Sequence, residues 1–121
     1  MKKLALIALA LAVISPLSLG AHHGWGGNAT EETQLTGTLE TPVSLAGPHA
    51  TMKIRSGGQV WDVTLAPSGR TAGAGLKEGV IPVGATVTIH GHKNKAAGRY
   101  EMKTERVVWG DKVYAVYPDR H

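Results

Sequence analysis

The chain has 121 residues, no cysteine, and 13 Lys+Arg against 9 Asp+Glu. That length supports one domain with one core, and the missing cysteines exclude disulfides, thiolate metal sites and thiol catalysis. The basic excess is mild and scattered, and on that ground nucleic acid is excluded as a partner.

Met1, Lys2 and Lys3 form a basic head before the apolar run Leu4 to Ile14. A bilayer-spanning helix needs about 20 apolar residues, and this run is too short. Ser15, Pro16 and Ser18 break it, and the small residues Gly20 and Ala21 follow. Head, short apolar core and small-residue exit describe a cleavable secretory signal over residues 1–21. Cleavage after Ala21 makes His22 the first mature residue; cleavage after Gly20 puts His23 third. Removing Lys2 and Lys3 leaves 11 basic residues against 9 acidic ones, a net charge near +2. The expected product is periplasmic or secreted, with no membrane insertion after processing.

Residues 22–32 read as a glycine-rich polar arm, except that burial of Trp25 would contribute on the order of 2 kcal/mol towards tying it down. Residues 33–117 read as one β domain. Thr33 to Val43 alternates, with Leu35, Gly37, Leu39, Thr41 and Val43 on one face, and Gly37 marks a bend. Ala46-Gly47-Pro48 turns into a second strand, His49 to Arg55, with Ala50, Met52 and Ile54 inward. Ser56-Gly57-Gly58 is a hairpin turn into Gln59 to Leu65, which Pro67 stops. Ser68 to Gly79 holds three glycines before its last residue and reads as a loop with one weak helical turn near Gly75-Leu76-Lys77-Glu78. Ala85 to His92 is a fourth strand, with Val87 and Ile89 inward and Thr86, Thr88, His90 and His92 outward. Arg99 to Trp109 is a fifth strand, Lys112 to Tyr117 a short sixth, and residues 118–121 a tail. The pattern is all-β and predicts a small five- to six-stranded OB-like barrel, with a two-sheet sandwich as the alternative.

Ala21-His22-His23-Gly24-Trp25 and Leu35-Thr36-Gly37-Thr38-Leu39, with the stretch from Val83-Gly84 to Gly91, resemble a family of small secreted bacterial proteins of uncharacterised function. Gly47-Pro48-His49 stands where such proteins often read Asn-Pro-His, so Gly47 departs from the pattern. The resemblance covers nearly all of the mature chain. It implies a single OB-like barrel behind a signal peptide and no established activity.

The six histidines are the distinctive chemistry. An amino-terminal His22, or a third-position His23, offers amine, amide and imidazole nitrogens, a tetragonal donor set that favours Cu(II) or Ni(II) over Mg or Ca. His49, beside a proline turn, is a candidate to complete that site. His90 and His92, two apart on a strand, point to one side and form a weaker candidate pair, since no carboxylate lies near them in sequence. The metal ligands expected are therefore His22, His23 and His49, then His90 and His92. Trp25, Trp61 and Trp109 are expected in the core. No nucleophile elbow or carboxylate pair proposes catalysis. The expected function is a periplasmic binding module holding copper or another divalent metal. The alternative is an OB-type interaction or small-ligand domain that uses Trp61, Lys53 or Arg55 and has no metal role.

Overall fold

The computed structural model describes residues 25–120. The predicted signal, its cleavage seam, His22 and His23 lie outside the described residues. Six strands follow in order: β1 (Thr33–Ser44), β2 (His49–Ser56), β3 (Gln59–Pro67), β4 (Thr86–Lys93), β5 (Glu101–Trp109) and β6 (Lys112–Ala115). One helix, α1 (Ser68–Gly73), lies between β3 and β4.

β1 pairs antiparallel with both β2 and β4, β2 pairs with β3, and β4 pairs with β5. The first residues of β5 then run parallel to β3, with Asp62 opposite Glu101 and Thr64 opposite Lys103. That pairing closes a five-stranded barrel in the order β1-β2-β3-β5-β4, the OB arrangement, and excludes the open sandwich. The second half of β5 leaves β3 and pairs with β6, an extra strand outside the barrel.

The closed wall follows from the alternation. Leu39 and Val43, Ala50, Met52 and Ile54, Val63 and Leu65, and Val87 and Ile89 are all buried. Gly57 and Gly58 both take positive φ in the β2–β3 hairpin, the backbone such a two-residue turn requires. Gly37 serves closeness: a Cβ there would overlap the carbonyl of Arg55 on β2, so β1 bends tightly at that point.

The helix sits earlier than the sequence reading placed it. It begins directly after Pro67, whose fixed φ suits a helix entry, instead of at Gly75 to Glu78. Ser68 Oγ donates to the Leu45 carbonyl at 2.7 Å, and Thr71 Oγ1 donates to the Ala66 carbonyl at 2.8 Å. These side-chain bonds fix a turn that glycine-rich composition alone disfavours. Buried Leu76 and Ile81 follow the helix and join the core. Trp61 and Trp109 pack against the core as expected, whereas Trp25 does something else.

Candidate functional site

β4 and β5 do not pair regularly. His90 faces Arg106 and Gly91 faces Thr104, so Glu105 is an extra residue bulged out of β5. The bulge turns the Glu105 side chain towards the outward face of β4, where His92 projects.

There the amino-terminal arm covers both. The Ala29 amide donates to the Lys93 carbonyl, the Lys95 amide donates to the Gly27 carbonyl, and Asn28 Nδ2 donates to the His92 carbonyl at 2.9 Å. Trp25 stands edge-on to His92 and to Tyr117, with ring centroids 5.5 and 5.3 Å away. The Arg120 guanidinium lies 4.0 Å from the centre of its ring, and the Lys103 ammonium 5.0 Å. Arm and tail thus meet over one outward patch of the barrel. Trp25 is the pin of an external clasp rather than a core residue.

Under the clasp His92 is 6% exposed and Glu105 3%. His92 Nδ1 lies 2.9 Å from the Ala29 carbonyl oxygen, and Nε2 lies 2.6 Å from Glu105 Oε2. A neutral imidazole has only one N–H, while both ring nitrogens here face oxygens. Both bonds are satisfied when one further proton is shared between Nε2 and Oε2. Arg106 and Arg120 each approach Glu105 to 3.8 Å, and Arg106 also pairs with Glu32 at 3.1 Å. A hydrogen bond with Glu105 holds the Glu32 carboxyl below the usual carboxylate range, against the opposing effect of burial. Arg106, by charge and hydrogen bond, and His90 add to that depression. Burial under the arm lowers Lys103, and Arg120 beside it adds to the shift. Burial raises the Tyr117 phenol against the pull of Arg70 and Arg120.

The predicted histidines therefore divide. His90 and His92 do lie on one side of β4, and they meet two carboxylates that the sequence reading did not place there. His92 is bonded to Glu105, and His90 and Glu32 to Arg106, while among the described residues Glu105 Oε1 and Arg106 Nη1 are buried without a hydrogen-bond partner. Among the described residues no group of three or more His, Asp or Glu is arranged to hold a metal ion. His49 opens β2 opposite Pro67. The arm bonds to β4, Lys95 and β5, and Trp25 packs against Tyr117 and Arg120; among the described residues no arm bond reaches His49.

A second feature lies on the other side of the barrel. A groove of about 920 Å³ follows the outer face of β1, β2 and β3. Outward Thr41, Ser44, Thr51, Lys53, Asp62 and Thr64 line it, together with Val43, Met52 and Val63. Glu78 and Gly79, from the segment after α1, and Glu101, at the start of β5, form its rim. The β1–β2 register slips between Leu39 and Thr41 and again between Thr41 and Ser44, which curls the strands around the hollow. Lys53 is ion-paired with Asp62 across it. Of the other residues singled out for a ligand face, Arg55 is paired with Glu40 at 3.3 Å. Trp61 packs edge-on to Tyr100 beneath Lys93.

No protein-family model matches the chain, and no curated protein matches it. The fold does have neighbours among solved structures. The barrel is similar to part of TiaS, an agmatidine synthetase that acts on an isoleucine tRNA. A TiaS mutant lacking its ZRD, in complex with agmatine, matches 75% of this chain and 28% of its own at 15% identity and a TM-score of 0.53. The complex of TiaS with that tRNA and ATP matches 65% of this chain and 18% of its own at 15% identity and a TM-score of 0.50. This chain thus spans less than a third of those proteins, and the likeness is one of fold. It still corrects one expectation. Nucleic acid was excluded on mild, scattered charge, yet a barrel of this shape occurs within a tRNA-bound protein. In a small barrel a local patch governs binding whatever the net charge, so that exclusion does not stand.

Proposed function

We propose that the protein is an exported OB-barrel module that binds a small organic ligand in the groove over β2 and β3. The observation that carries this reading is the groove itself. Its volume is that of small-molecule sites, and it combines apolar residues with hydroxyls and a few charges. Its position supports the reading too, since OB barrels commonly engage ligands on this face. The clasp on the opposite wall is less suited, because the arm and Trp25 cover it, although among the described residues Glu105 Oε1 and Arg106 Nη1 are buried there without a hydrogen-bond partner. The leader-like residues 1–21 support the exported compartment.

The reading is checked by titrating labelled protein with amines, carboxylates, sugars and short oligonucleotides while amide shifts are recorded. Perturbations should cluster at Thr41–Ser44, Thr51–Lys53 and Asp62–Thr64. Thr64→Trp, which fills the hollow from an outward position, should abolish them. Shifts confined to β4 and the arm would transfer the site to the clasp.

The docking of Trp25 favours a second reading, Cu(II) at the amino terminus. It fastens to the barrel the chain that directly follows His22, His23 and Gly24. A mature amine and these imidazoles would supply nitrogen donors, with binding that weakens as pH falls through the histidine range. Calorimetry should show much tighter Cu(II) binding for protein with the processed terminus than for protein carrying one extra residue. Equal affinities would overturn this second reading.

A further inference from the structure

We propose that the groove selects a protonated amine carried on an apolar body, an inference that rests on the groove being a ligand site. Four charged residues line it, and three of them are acidic. Two of the acids are already matched. Asp62 holds Lys53, and Glu101 accepts from Asn94 Nδ2 at 2.9 Å and from Arg99 at 3.3 Å. Glu78 is different: among the described residues no basic side chain pairs with it. The Leu45 amide donates to its Oε2, at 3.3 Å, which places the carboxylate at the loop joining β1 to β2.

The groove therefore presents an unmatched negative charge at one rim, and beside it the apolar surface of the exposed Pro42 ring and of Thr41, Thr51 and Thr64, whose methyl groups lie over the buried Val43, Met52 and Val63. A carboxylate or phosphate ligand would meet three acids against one committed lysine. An ammonium would find in Glu78 a partner that pairs with no basic side chain among the described residues, and could lay its hydrocarbon over Pro42 and the threonines. Charge complementarity of this kind fixes orientation and selectivity more than raw affinity.

The probes are 4-phenylbutylamine, 4-phenylbutanol and 4-phenylbutyrate, which share a body and differ in charge. Dissociation constants come from amide shifts of the full chain. The amine should bind tightest and the acid weakest, and the amine alone should weaken as salt rises from about 20 to 300 mM. Glu78→Gln should cost the amine about threefold to fivefold, the size of one exposed ion pair, and leave the alcohol unchanged. Glu78 is exposed, so the variant keeps the fold. Groove shifts with the alcohol or the acid as tight as the amine would overturn the amine preference and leave the groove reading standing. Groove shifts from none of the three would overturn both.

Discussion

Replacing His92 with alanine should destabilise the barrel by about 3–5 kcal/mol, the cost of removing one partner from a buried ionic pair. Glu105 is 3% exposed and gives Oε2 to His92 at 2.6 Å. Without the imidazole that oxygen loses its closest partner, and the two arginines at 3.8 Å stand too far off to replace the bond. The Ala29 carbonyl and the edge of Trp25 lose their partner at the same time, so the arm should loosen with the core. Against a typical total stability of about 5–15 kcal/mol this is a large fraction. Urea unfolding followed by circular dichroism measures it. The companion variant, His92→Leu with Glu105→Leu, removes the buried carboxylate together with its partner and should recover part of the loss, with Arg106 still paired to Glu32. A loss under about 1 kcal/mol for His92→Ala would show that water solvates Glu105 and that the clasp is not closed.

Much of the barrel was legible because its signal is local. Leu39, Met52, Ile54, Val63, Leu65, Val87 and Ile89 alternate with polar residues, and each is buried. The clasp was not legible, because its members meet only through closure. Glu32 lies 58 positions before His90 and Glu105 lies 13 after His92, so a search for carboxylates near the histidines in sequence finds neither. One clue was present. Met102 and Val107, both buried, are five residues apart, and an odd spacing cannot share a face in a regular strand. The break in parity requires a bulge between them, and the bulged residue is Glu105. Helix α1 escaped for a different reason. Its residues form a poor helix alone, and bonds from Ser68 and Thr71 to carbonyls of the strand framework hold it. The groove was invisible as a site because its lining is the ordinary polar face of three strands, and only the two register slips in β1 curl that face into a hollow.

Gly91→Ala should cost about 1–3 kcal/mol or more, an overpacking penalty at the seam between β4 and β5. Gly91 is opposite Thr33 on β1 and Thr104 on β5, so strands hold it on both sides. A Cβ at this position would overlap the carbonyl of Lys103 and press on the Thr104 Cα. Both obstacles are main chain, so no rotamer change can relieve them. The strands must separate where β5 already bulges, and His90 and His92, on either side of Gly91, must shift with them. The change should therefore also displace Trp25, seen as a change in its fluorescence under native conditions. Gly69→Ala supplies the comparison: nothing lies within 4 Å of a Cβ there, and the residue sits in α1. Alanine at that place should stabilise by about 0.5–1 kcal/mol through backbone entropy and helix propensity. Opposite signs for the two glycines, measured by urea unfolding of the full chain, would locate the tight seam at the clasp. A Gly91→Ala protein as stable as the parent would mean that β4 and β5 are free to part at this seam.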